Sequence, residues 1–416
     1  MLIHADIVVV GGGMAGFSAA MAAAQENKKV ILIEKSNQLG GNATNANVGT
    51  ICGAYYRTFA EKPKLIGYKF CKDFISNLLA VSDKNKLINY HNGLFIVSYD
   101  WKYLADYIEQ QLIEAGVEIL KNAEITQVKQ EGNLISQFTI NLNEKVIELY
   151  INSIVDCSGN GIVSQLAQAE MISDTSYQSA SQIFCVKNII SDNEYSLNMA
   201  LKKVMTQLVV THQWPKSFKS LSIVPGSLND NRAHFKITLP NIITDKAEQK
   251  NQLSIKAKEY IHEVFPCLTK NIESLKNAEV EFVFPEVGVR IQQRSKGKEI
   301  LYEEDVLSCK KTPYGIAIAT WPIEEWNEDG KLSMQYFNVD DCYTISANCL
   351  QSNSIDNLYF AGKNISATTK AIASARVIGT CLQTGYAAGK LAICQNKIEK
   401  EKMILSLHNE LFLGND

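Results

Sequence analysis

Asp6-Ile-Val-Val-Val-Gly11-Gly12-Gly13-Met14-Ala15-Gly16, followed after an alanine-rich stretch by Val30-Ile31-Leu32-Ile33-Glu34, lays out a strand, a glycine turn, a helix and a second strand. The unbroken apolar run Ile7 to Val10 reads as a buried parallel strand. Gly11 suits the tight turn that follows, Gly13 lets the backbone approach a pyrophosphate, and Gly16 lets the helix pack closely on the strand. The start of that helix offers free N–H groups to an anion. Ala15, Ala19, Ala20, Ala22, Ala23 and Ala24 favour the helix, and Lys28-Lys29 stand where its C-terminus attracts positive charge. Glu34 ends the second strand, where a carboxylate accepts from both hydroxyls of an adenosine ribose, and no nearby arginine awaits a 2′-phosphate. Glycine clusters also close ordinary turns, but this strand-turn-helix-strand context with its terminal acid is what a dinucleotide site requires.

Ser36-Asn37-Gln38-Leu39-Gly40-Gly41-Asn42-Ala43-Thr44 is a second glycine-rich turn that lets backbone pass beside the far half of a longer cofactor, which favours FAD over NAD. Near the other end, Asn357-Leu358-Tyr359-Phe360-Ala361-Gly362-Lys363-Asn364-Ile365-Ser366 is an apolar strand closing on a turn. Ala373-Ser374-Ala375-Arg376-Val377-Ile378-Gly379-Thr380 and an alanine-rich helix to Leu391 follow, so both termini are expected at one site. With Val155-Asp156-Cys157-Ser158-Gly159-Asn160-Gly161 and Gly288-Val289-Arg290 through Asp305 added, the chain resembles the FAD-dependent oxidoreductases of the glutathione-reductase-like superfamily. More narrowly, it resembles the single-chain oxidoreductases related to fumarate reductase flavoproteins and to the flavin subunit of heterodisulfide reductase.

The resemblance implies an α/β fold: a Rossmann-like FAD-binding domain from residues 1–172 and 336–416, with an inserted α+β substrate domain over 173–335. It implies non-covalent FAD touched by Gly11, Gly13, Met14, Ala15, Gly16, Glu34 and Lys35, by Gly40, Gly41, Asn42 and Thr44, and by Ser158 and Gly159. Ile125 or a close neighbour is expected to pass the adenine. Gly362 and Lys363 are expected beside the ribityl and pyrophosphate. The helix opening at Val377 and Gly379 would point its N-terminus at the isoalloxazine, where about half a positive charge favours an anionic reduced ring. Two departures from the resemblance are Lys363, where relatives usually carry Asp or Arg, and Ser158, where Thr is common; both keep hydrogen-bonding ability.

Chemistry on the substrate is expected from residues near the ring. Alternation in Gly288-Val289-Arg290-Ile291-Gln292-Gln293-Arg294 would put Arg290, Gln292 and Arg294 on one strand face, where two guanidiniums can clamp a carboxylate; pairing with Glu299, Glu303, Glu304 or Asp305 is the structural alternative. Arg376 is a third candidate for orienting substrate, against a salt bridge at a helix start. Asn45 and Asn47 extend the polar group of Asn42 and Thr44, although asparagine also suits turns. Cys52 is weighed as packing against nucleophile. His91, His212, His234, His262, Tyr55 and Tyr56 leave the general acid or base open.

The chain has 416 residues, 46% hydrophobic and 20% charged, as expected of a globular enzyme with two or three domains. A formal net charge of −3 gives no case for nucleic acid or an anionic membrane, so the expected partners are a small-molecule substrate and an electron donor or acceptor. No run approaches the roughly 20 apolar residues of a membrane span, and the N-terminus lacks a basic leader, so a cytoplasmic protein is expected. Ten cysteines without a CxxC pair argue against a zinc site, an iron–sulfur cluster or a redox dithiol, and no metal is expected. Hydride transfer leads the functional readings. A flavin monooxygenase, an electron-transfer subunit of a larger complex and a plain NAD dehydrogenase are the alternatives.

Overall fold

β-Branched and leucine residues fill Ile7 to Val10, the end of strand Leu2–Val10, and Val30 to Ile33 of strand Val30–Glu34, and their burial on both faces requires cover above and below. A computed structural model describes residues 2–174, 177–242 and 247–413. It builds a seven-stranded sheet in which the parallel strands run in the order Glu118–Lys121, Val30–Glu34, Leu2–Val10, Lys145–Asp156 and Leu358–Phe360. Ala123–Glu131 and Leu134–Leu142 add an antiparallel hairpin against the first half of Lys145–Asp156. The sequence reads Val146–Tyr150 and Ile154–Asp156 as separate pieces. They form one 12-residue strand that changes partner midway. Asn357 plugs that change, giving its side chain to both backbone groups of Ile135 (2.8 and 3.0 Å) and to Asn152 O (3.0 Å).

Asp156 is in register with both Val10 and Phe360, so three strands end side by side. Ligands of such sheets bind beyond these carboxyl ends. Helix Met14–Ala24 covers one face and packs on helix Ile378–Ala392 from the far end of the chain. The close approach depends on Gly385 and Gly389: a Cβ on either would stand 2.2 or 2.3 Å from the carbonyl oxygen of Ala15 or Ala19. The Ser18 hydroxyl donates to Leu382 O across the same seam (2.6 Å).

A second, antiparallel sheet runs Ser222–Ile223, Ala233–Ile242, Ser179–Lys187, Glu279–Val283, with helices Glu194–Thr211 and Ala247–Asn271 on one face. Lys246, the expected start of the latter helix, lies outside the described residues. This layer has its own core, which ends at Val289. Ile291, Leu301, Ile316 and Ile323 pack into the first core although they precede Tyr336. Among the described residues no helix is long and apolar enough to cross a membrane.

Candidate active site

The first turn depends on contacts that leave no space for side chains. Gly11 has φ +95°, and a Cβ there would meet Cys157 O at 2.7 Å. On Gly16 it would stand 1.8 Å from Gly11 O, whereas on Gly13 it would meet nothing within 4 Å. That open side faces a cavity of about 600 Å³, in the range of small-molecule sites, lined from both ends of the chain and from the second layer. Gly40 N–H donates to Gly12 O (2.8 Å), which ties the second glycine turn to the first.

Glu34 is buried and accepts from Gly12 N–H (2.7 Å), Ser36 N–H (2.8 Å) and the Ser36 hydroxyl (2.7 Å). A carboxylate offers about four acceptor sites, which leaves capacity for a ribose hydroxyl. Glu34→Ala is expected to weaken retention of a bound dinucleotide at least about tenfold, because Gly12 N–H loses its buried acceptor; cofactor released on dilution measures it.

The buried Asp156 carboxylate shapes the third turn, accepting from Ser158 N–H (2.9 Å), the Ser158 hydroxyl (2.6 Å) and Val163 N–H (3.0 Å). Gly159 sits under the Lys363 chain, whose ammonium donates to Val289 O (2.9 Å). Burial, then the charge of Lys250, pushes Lys363 down to about 8. Both long helices aim their N-termini at the cavity, Met14 and Ala15 from one and Val377, Ile378 and Cys381 from the other, and neither has a side-chain cap on its first turn. The first-turn N–H groups at Met14 and Ala15 suit an anionic or electron-rich ligand, whereas in the other helix Gly379 N–H is already given to Cys52 O. The buried Arg376 Nε also lacks a partner.

Gly11, Gly13, Met14, Ala15, Glu34, Lys35, Gly40, Gly41, Asn42, Ser158, Gly159, Gly362, Lys363, Val377, Arg290 and Arg376 line this cavity. Four expected contacts stand behind it. Gly16 packs on Gly11; Thr44 donates its hydroxyl to Leu39 O; Gly379 N–H donates to Cys52 O (2.9 Å). Ile125 faces the core, while its neighbours Asn122 and Glu124 border a smaller hollow with Lys35.

Arg294 departs most from expectation. Residues 289–293 form no strand, and Arg294 turns inward, fully buried, donating to Ala367 O (2.9 Å), Gln292 O (2.7 Å) and Thr369 Oγ1 (3.1 Å) and pairing with Asp174 at 3.3 Å. It holds backbone together rather than clamping a substrate. Arg290 does reach the cavity, giving one N–H to Ser179 O and stacking on Trp326 at 4.8 Å. Arg376 pairs with Glu324 at 3.5 Å.

Lys236, Tyr90, Trp321, Glu324, Trp326 and Met334 share this end and were missed. Two of the chain's four tryptophans within Trp321-Pro-Ile-Glu-Glu-Trp326 were the available signal, as was a lone lysine in the alternating strand around it. Glu324 accepts from both indoles, Trp326 at 2.7 Å and Trp321 at 2.9 Å. Burial alone would raise its carboxyl, but Arg376, these two bonds and Arg290 outweigh burial and hold it below its ordinary value. Burial pushes the Cys52 and Cys381 thiols up to about 12, so neither is a thiolate nucleophile near neutrality. His234 bonds Asn47 (2.9 Å) and is pushed down to about 4 by burial; His91, His212, His262, Tyr55 and Tyr56 also stand off the cavity. Among the described residues no three metal-ligating side chains gather.

The family model described as FAD dependent oxidoreductase matches residues 6–403. The fumarate reductase (cytochrome) of Shewanella frigidimarina is 59% identical over 44 residues, 11% of this chain and 8% of that protein. The NADH:fumarate oxidoreductase of Klebsiella pneumoniae (strain 342) is 23% identical over 190 residues, 37% of this chain and 20% of that protein. These matches span a fifth or less of either relative. A geranylgeranyl bacteriochlorophyll reductase-like structure from Thermoplasma acidophilum aligns with TM-score 0.49 and 12% identity, over 98% of this chain and 83% of that one.

Proposed function

Because the chain belongs to the FAD dependent oxidoreductase family, we propose that it transfers hydride between FAD and a small organic substrate seated at the Arg290 and Trp326 end of the cavity. A separate electron donor or acceptor then restores the flavin. The observation that carries this reading is one continuous cavity with two chemically different halves. The half formed by Gly11, Gly13, Glu34, Gly41 and Gly159 fits a dinucleotide: open backbone at Gly13, spare capacity on Glu34 and the uncapped start of helix Met14–Ala24. The other half, beside Val377, is walled by Trp321, Trp326 and Met334 and holds the charged groups Arg290, Lys236, Glu324 and Arg376.

When bound, FAD supplies the two-electron chemistry. The chain's own residues orient the substrate through Arg290 and exclude water with the indole and thioether walls. Glu324 holds Arg376 and both indoles in place. In this reading residues 1–172 and the C-terminal segment hold the nucleotide, and the layer around the second core supplies the substrate wall.

Anaerobic mixing with a substrate that donates hydride is expected to bleach the yellow protein in a single two-electron step, and a substrate that accepts hydride is expected to restore the colour of the prereduced protein. A second outcome separates this function from a monooxygenase: turnover under heavy-isotope oxygen is expected to leave the organic product unlabelled. Label in the product would overturn hydride transfer as the net reaction.

A further inference from the structure

The charges at the substrate end do not cancel. Glu324 is committed: one oxygen serves Trp326 and Arg376, the other serves Trp321. Arg290 spends one of its five N–H donors on the neutral carbonyl of Ser179. Lys236 has neither a hydrogen bond nor an ion pair among the described residues. Its ammonium lies 4.9 Å from the centre of the Trp326 ring, and the Arg290 guanidinium lies 4.8 Å from that same centre. Two half-buried cations therefore converge on one indole with no ion-pair contact of their own, and the single nearby carboxylate, Glu324, is held in contact by Arg376, so three cations share one anion, an arrangement burial disfavours unless a ligand brings further negative charge. The shifts run the same way. Burial, then Arg290, pushes Lys236 down to about 8, and burial, then Arg376, pushes Arg290 down to about 9.

Ile96, Trp321, Leu332 and Met334 give this pocket an apolar wall, beside the neutral groups Thr50, Cys52 and Tyr90. Arg376, the remaining cation at this end, is already neutralised by Glu324. The site thus has one place for one negative group and an apolar place for what carries it. We propose that the substrate is a monoanionic organic acid whose carboxylate is gripped jointly by Arg290 and Lys236 while its apolar body lies along Trp321 and Met334. This rests on the reading that the other half of the cavity holds FAD. A dicarboxylate fits less well, because the remaining cation at this end, Arg376, is paired with Glu324 and its second charge would face neutral groups.

The test uses the FAD-loaded full chain, titrated with benzoate, its neutral isostere benzamide, succinate and inorganic phosphate, followed by flavin absorbance and by calorimetry. Benzoate is expected to bind about tenfold or more tightly than benzamide, the size of a charge-assisted bond, and more tightly than succinate or phosphate. Lys236→Gln and Arg290→Gln are each expected to lose about tenfold in benzoate affinity while benzamide affinity and FAD content hold. Benzoate affinity is also expected to fall as pH rises through about 8, where free Lys236 loses its proton. The groups facing Lys236 are Arg290, Arg376, Glu324, Cys52 and Tyr90; Cys52 and Tyr90, both pushed up to about 12, stay neutral across that range. Equal binding of benzoate and benzamide, tighter binding of succinate or phosphate, or variants that bind benzoate like the unaltered protein would overturn the proposal with FAD still in place. A chain that takes up no FAD would instead overturn the underlying reading. Should Arg290→Gln fail to hold FAD, Lys236→Gln and the benzoate to benzamide ratio of the unaltered protein still decide.

Discussion

Gly16→Ala is expected to yield a protein that no longer retains FAD and melts at a lower temperature. The added Cβ would lie 1.8 Å from the carbonyl oxygen of Gly11 and 3.4 Å from Cys157 Cβ. Neither neighbour can yield. Gly11 N–H is bonded to Ile33 O, Cys157 N–H to Val10 O (both 2.7 Å), and Gly12 N–H to Glu34 (2.7 Å). The helix itself must move, carrying its first-turn N–H groups away from the pyrophosphate. Overpacking of this kind costs about 1–3 kcal/mol, and if about 3 kcal/mol of it falls on the bound state, FAD retention drops roughly a hundredfold. Gly13→Ala is the informative contrast. Its Cβ meets nothing in the protein, so the apoprotein should melt as before while FAD binding alone suffers. Flavin fluorescence after dialysis, with apoprotein melting curves, reads both. Full flavin content in Gly16→Ala would contradict the close packing described.

Arg294→Met is expected to be the most destabilising change near the cavity, by about 2–4 kcal/mol, mostly from buried carbonyls left without donors, since the partner Asp174 is 43% exposed and its ion pair is screened. The methionine fills part of the volume but leaves Ala367 O and Gln292 O without their arginine donor and Asp174 with only the Thr369 hydroxyl. Arg294→Lys should recover only part, since an ammonium cannot reproduce a planar fork that reaches several acceptors at once. Urea midpoints measure the loss. Arg290→Gln should shift the midpoint far less, because Arg290 faces the cavity and gives one bond to the described backbone. If both variants unfold at the same urea concentration, the division of labour between the two arginines is wrong.

That division marks the boundary of what residue patterns reveal. Arg290 and Arg294 stand four apart in an apparently alternating run and look equivalent. Strand alternation holds only where a ladder keeps the backbone regular, and no ladder extends through residues 289–293. The chain there is crossing from the second core to the first, so Arg294 turns in beneath Ala367 while Arg290 stays at the wall. Thr44 differs for a related reason, because a polar residue beside a glycine turn can serve the turn itself, and in the strand of Ile125 the side chains alternate, so Ile125 enters the core while Glu124 borders a hollow.

The apolar strands, the glycine turns and the alanine-rich helices are local matters, legible because burial periodicity and turn geometry act over a few neighbouring residues. Hence the glycine turns that line one half of the cavity, and the packing of the first helix on one from the far end of the chain, followed from short stretches of sequence. Which charges face one another is a different kind of fact. Lys236, Arg290, Glu324 and Arg376 are dozens of residues apart and come from four segments. Only their packing reveals that Glu324 neutralises Arg376 and leaves Lys236 and Arg290 without an ion pair of their own against one indole. Electrostatic balance depends on distances of a few ångström between such segments, and those distances exist only once both cores have formed.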